Sequence, residues 1–131
     1  MKKLIIVIII LCSVLHNKEI ASEKIVLSTS IGPCVKCIVL PDKIISDALE
    51  KTVKTYEVWA YVRCRRNREL KVFESNFYWN YKIARDTIGL SSHSEKYNLF
   101  ILDNKDSILK KINTFSSDFK TDSLVAYLNK L

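Results

Sequence analysis

Lys24-Ile25-Val26-Leu27-Ser28-Thr29-Ser30-Ile31-Gly32-Pro33-Cys34-Val35-Lys36-Cys37 is the stretch on which the reading of this chain turns. Its first six residues are a short β-branched run, and Gly32-Pro33 ends it. Beyond the cysteines the period changes. Ile38, Pro41, Ile45, Ala48 and Thr52 fall three or four residues apart, joined by Ile44 and Leu49, which is one face of a helix. The stretch is therefore strand, turn, helix, with Cys34 and Cys37 at the junction. A cysteine at a helix start feels the positive end of the helix dipole and its free N–H groups. That environment lowers a thiol's pKa and favours the thiolate, which is the nucleophile. Two intervening residues let the second sulfur reach back to the first.

Working outward, Tyr56 to Cys64 alternates as a strand does. Val58, Ala60, Val62 and Cys64 share one face, and Glu57, Trp59, Tyr61 and Arg63 the other. Phe73, Phe77, Tyr81, Ala84 and Ile88 predict a second helix, with Gly89 where a C-terminal cap falls. Tyr97 to Leu102 reads as a strand. Asp103-Asn104-Lys105-Asp106 is turn chemistry, and Ser107 to Phe115 returns as the hairpin partner. A last helix is capped by Thr121 and carries Leu124, Tyr127 or Leu128, and Leu131. The expected order is β-α-β-α-β-β-α, an α/β fold with a mixed sheet, parallel neighbours from the strand–helix–strand units, an antiparallel closing hairpin, and helices on both faces.

The remaining segment is the N-terminus. Lys2 and Lys3 precede an apolar run from Leu4 to Leu15, which matches the h-region of a secretory leader and is short for a bilayer span. Residues 1–22 are expected to be a signal peptide, with small residues Ala21 and Ser22 near its end; an uncleaved anchor and lipidation at Cys12 are the alternatives. Residues 23–131 then form a single domain. The 131 residues carry a formal net charge of +7, with a local cluster at Arg63, Arg65, Arg66 and Arg68. A solvated basic loop, an acidic partner and an anionic lipid surface all fit that cluster. Nucleic acid is not expected, because no stacking-aromatic motif of an RNA module is present.

The element order, the Cys-x-x-Cys at the exit of the first strand, Pro41 early in the following helix and the Phe100-Ile101-Leu102-Asp103 hairpin strand resemble the thioredoxin superfamily. The likeness is to the thiol-disulfide proteins of the bacterial cell envelope, and it covers roughly residues 24–131. It implies a thioredoxin-like fold, Cys34 as the attacking thiol and Cys37 as the buried resolving one. It also implies periplasmic or envelope location, and as partners the thiols or disulfides of exported proteins and a membrane-bound redox protein. No cofactor and no metal are implied. The family's cis-proline at the start of the third strand has no counterpart in His93-Ser94-Glu95-Lys96-Tyr97-Asn98, so weak general disulfide reductase activity is expected.

Three uses of the pair stay open on the residues alone: redox exchange, a passive staple in an oxidising compartment, and part of a metal site. A ring of four residues stabilises by only roughly 2 kcal/mol, against roughly 3.6 for a bridge from Cys37 to Cys64. Stability alone therefore does not favour the short ring. Cys64 makes the count odd once the leader is removed. It reads as a small buried hydrophobe, with a third redox thiol or a metal ligand beside His93 as the alternatives. If the pair is not catalytic, the chain is a thioredoxin-fold binding module with a structural disulfide or a cysteine-based metal site.

Overall fold

The computed structural model describes residues 18–30, 35–75, 81–93 and 97–131, with the side chains of 35–40 and 72–75 not described. Strand β1 runs Ile20–Ser30 and helix α1 Val35–Lys51; β2 spans Thr55–Arg63, α2 Arg68–Ser75 and β3 Lys82–Arg85. A 3₁₀ turn at Leu90–His93 leads into β4 (Leu99–Leu102), β5 (Ile108–Ile112) and the last helix, α3 (Thr121–Asn129). The five strands form one mixed sheet in the order β3-β2-β1-β4-β5. β1, β2 and β3 are parallel, while β4 and β5 run antiparallel to their neighbours.

Burial follows the expected periodicities. On α1, Pro41, Ile45, Ala48 and the following Thr52 are buried, with Ile44 and Leu49 half-buried beside them. Ile45 and Ala48, with Ile44 and Leu49 against them, pack with Ile25, Leu27, Tyr56, Val58, Leu99 and Ile101 of the sheet and with Leu124 and Leu128 of α3. β1 alternates, so Val26 faces the other way and joins Tyr61, Phe100, Leu102 and Leu90 in a second cluster. The central strands are thus apolar on both sides, as interior strands are.

Among the described residues, the helices lie on one face of the sheet rather than on both. β1-α1-β2 and β2-α2-β3 step in the same direction across the sheet, so right-handed crossovers place both helices on one side. Leu70 of α2 accordingly packs against Ala60 and Val62, on the same face of β2 as Val58. Among the described residues, only the 3₁₀ turn, through Leu90, covers the apolar part of the opposite face.

The other departure is the second helix, described over Arg68–Ser75, with Phe77 outside the described residues. Its expected continuation holds β3, where Ala60 pairs with Ile83 and Tyr61 with Ala84. A parallel partner satisfies the outer backbone groups of β2, and Ile83 and Tyr81 reach the Ala60–Val62 cluster. Gly89 does take a left-handed conformation (φ 76°), where glycine carries no Cβ penalty. It introduces the 3₁₀ turn, its carbonyl accepting from Ser92 N–H (3.1 Å), rather than capping a helix. Thr121 is the first helical residue of α3; the cap position is Lys120, with no side-chain cap bond. Residues 20–22, expected in the leader, lie in β1: Ile20 pairs with Thr55 and Ala21 packs against the main core.

Candidate functional site

The parallel strands end together. Ser30 pairs with Arg63 and Val62 with Arg85, so one sheet edge collects the C-terminal ends of β1, β2 and β3. α1 begins at Val35, five residues after Ser30, so its start lies within about 17 Å of that edge. Cys37 belongs to the first turn of α1; its side chain, and Cys34 altogether, lie outside the described residues. The first turn of α1 contains no acidic residue, so no carboxylate there opposes the helix dipole. Pro41 is buried inside the helix. It has no N–H, so the carbonyl four residues back, that of Cys37, lacks its usual intrahelical donor.

Cys64 directly follows β2 on the same edge, as its parallel pairing with β1 required. It is a half-buried free thiol that packs against the Ala60–Val62 cluster. His93 ends the 3₁₀ turn, its ring 6.0 Å from that of Phe100. Phe100 belongs to the opposite face of the sheet. Cys64 and His93 therefore pack on opposite sides and do not form a joint site. Among the described residues, no three of His, Cys, Asp or Glu stand together as metal ligands.

Asn98, before β4, is held through its backbone groups. Its N–H donates to Ile112 O (3.1 Å) and its carbonyl accepts from Ser28 N–H (2.8 Å). Its side chain accepts from Thr114 N–H (2.9 Å) and donates to the Thr114 hydroxyl. A proline at 98 would forfeit the bond to Ile112. Residues 94–96 lie outside the described residues.

The arginine loop is built rather than loose. Glu69, in the first turn of α2, accepts from the backbone N–H groups of Arg65 (2.9 Å) and Arg66 (3.3 Å). Nearby, Asp86 accepts from three backbone N–H groups, those of Gly89 (3.0 Å), Leu90 (3.2 Å) and Ser91 (2.9 Å). Both carboxylates are thus engaged by the main chain.

One constellation was not anticipated from the sequence. On the face opposite the helices, Lys24 Nζ lies 5.4 Å from the centroids of both Trp59 and Tyr61. It donates to Tyr61 Oη (2.8 Å) and pairs with Asp106 (2.6 Å). Burial pulls the Lys24 ammonium down, but the bonds to Asp106 and Tyr61 outweigh it and leave its pKa raised. Beside it, hydrogen bonds from Lys82 and Trp59 hold the Glu57 carboxyl below the usual range. The alternation of Trp59 and Tyr61 with apolar neighbours marked them as sharing a face. Their meeting with Lys24 follows from strand register, which the sequence does not display.

No protein-family model, curated protein or solved structure matches this chain, so the functional reading rests on its own residues.

Proposed function

We propose that the chain is an exported thioredoxin-like protein that exchanges thiols and disulfides through Cys34 and Cys37. The observation carrying this reading is the placement of α1 after β1: a central parallel strand, buried at Ile25, Val26 and Leu27, is followed five residues on by a 17-residue helix with Cys37 in its first turn. The mixed sheet, with two strand–helix–strand units and a hairpin, is an α/β architecture. In the proposed cycle the Cys34 thiolate attacks a target disulfide, and a mixed disulfide forms as one target thiolate leaves. The Cys37 thiolate then attacks Cys34 Sγ and expels the second target thiolate. The protein is oxidised to the Cys34–Cys37 disulfide, the target gains two electrons, and the two target thiolates take up protons. The reverse sequence oxidises a target. The Lys2-Lys3 start and the apolar run from Leu4 to Leu15 support export to the envelope.

The test is the reduction potential of the pair, with alkylation mapping of the reduced full chain. A potential in the range of known exchange proteins, about −270 to −120 mV, with Cys34 alkylated first and exchange lost in Cys34→Ser, is expected. A potential below about −300 mV would make the pair a structural bond and the chain a binding module. Preferential alkylation of Cys37 would reverse the two roles.

A further inference from the structure

The chain contains five arginines, at positions 63, 65, 66, 68 and 85, against sixteen lysines. All five belong to the edge where β2 and β3 end. Arg63 closes β2, Arg65 and Arg66 follow it, Arg68 opens α2, and Arg85 closes β3 beside Val62. Neighbouring strands lie about 4.8 Å apart, so the five wrap one rim. Each is exposed. Among the described residues, the two ion pairs both use lysine, Lys24 with Asp106 and Lys82 with Glu57. The cations over aromatic rings there are also lysines, at 24, 82, 110 and 111. Among the described residues, lysine side chains make the ion pairs and cation–π contacts, and no arginine side chain takes part in them.

That segregation has a chemical meaning. A guanidinium is planar and presents paired donors that match a carboxylate or phosphate bidentately, which an ammonium does not. Five like charges on one rim repel one another, so their clustering does not itself favour the folded state. The nearest acids, Glu69 and Asp86, hold backbone N–H groups and fix the shape of the rim. Arg63, Arg65, Arg66 and Arg68 are interleaved with Cys64 and Asn67, with no aromatic for stacking a base and no large apolar side chain for entering a bilayer.

We propose that Arg63, Arg65, Arg66, Arg68 and Arg85 form a docking surface for a carboxylate-rich segment of a partner protein. Because α1 starts near the same edge, such docking delivers the partner to Cys34 and Cys37. That last step rests on the redox reading above; the docking itself does not.

The experiment measures binding of a fluorescent ten-residue oligoglutamate peptide to the full chain at low salt by anisotropy. Arg65→Gln/Arg66→Gln/Arg68→Gln is expected to weaken binding about tenfold, as three exposed charge-assisted contacts are removed, without lowering thermal stability. Lys51→Gln/Lys105→Gln/Lys120→Gln removes equal charge from exposed positions elsewhere and should change binding less than about twofold. Equal weakening in both variants would overturn the proposal in favour of bulk charge. Tighter, arginine-dependent binding to phosphatidylglycerol vesicles or to oligouridine than to the peptide would overturn the assignment to a protein. Arg65→Lys/Arg66→Lys/Arg68→Lys binding as well as the parent would overturn the claim for paired donors. Peptide binding unchanged in Cys34→Ser/Cys37→Ser keeps this result separate from the fate of the redox reading.

Discussion

Asp106 shows how a single turn residue serves two demands. It is the one non-glycine residue with positive φ (63°) among those described, a conformation that aspartate and asparagine tolerate better than most. It also faces Lys24, whose side chain is 20% exposed against 41% for Asp106. Asp106→Asn keeps the backbone preference and removes the charge, so it should cost only about 0.5–1 kcal/mol, discounted for solvent screening. Asp106→Ala loses both and should cost roughly 1 kcal/mol more. Urea midpoints of the two variants measure the difference. Equal losses would mean that the left-handed turn carries no cost, and no loss in either would reduce the Lys24 pair to a surface contact. The turn itself was legible in Asp103-Asn104-Lys105-Asp106. Asp103 Oδ1 accepts from Lys105 N–H and Ser107 N–H, as such residues do in tight turns.

Elements were legible where one period ran unopposed. α1 was read from Pro41, Ile45, Ala48 and Thr52 because a long amphipathic stripe admits no other structure. β2 was read from the alternation at Tyr56, Val58, Ala60 and Val62, all of which are buried. Between Phe73 and Ile88 the spacing of three and four also accommodated Tyr81-Lys82-Ile83-Ala84-Arg85, a short run whose strand character depends on the neighbour it pairs with. That neighbour is distant in sequence, so the pattern alone could not choose. The same holds for the site: the placement of Cys37 in the first turn of the helix that follows β1 was readable, whereas the separation of Cys64 from His93 by the sheet itself was not. The 3₁₀ turn is another element set by one residue that pattern does not mark. Asp86 accepts three successive N–H groups and so positions Leu90, 1% exposed, over the second core cluster. Asp86→Ala should destabilise the fold by about 1–2 kcal/mol. It should also speed hydrogen exchange at Gly89, Leu90 and Ser91 more than at β1 amides. Uniform acceleration would mean that the turn is no independent element but part of the global unit.

At the scale of the molecule, four groups lean the same way on titration. Burial pushes the Tyr81 hydroxyl far above its ordinary value near 10, and its bond to Asp42 Oδ1 (2.7 Å) adds to the shift. Burial raises Tyr56, aided by the charges of Glu23 and Tyr127, and it raises Tyr127, aided by Glu23. Lys24 is raised from its ordinary 10.5 despite burial, by Asp106 and Tyr61. In each case the folded state holds its proton more tightly than the unfolded chain does. The resulting stabilisation is complete below about pH 10 and is lost as pH rises through the raised values. These groups therefore leave stability flat between pH 7 and about 9.5, and it should fall steeply above 10. Tyr81→Phe separates the largest contributor. At pH 8 it should lower the urea midpoint, since Asp42 loses a part-buried hydrogen-bond donor. Because phenylalanine cannot titrate, the deficit should shrink as pH rises and the parent loses its own Tyr81 contribution. Midpoints of parent and variant measured from pH 8 to 11 are thus expected to converge. Parallel curves would show that Tyr81 titrates alike in the folded and unfolded chains, and that alkaline loss of stability arises elsewhere.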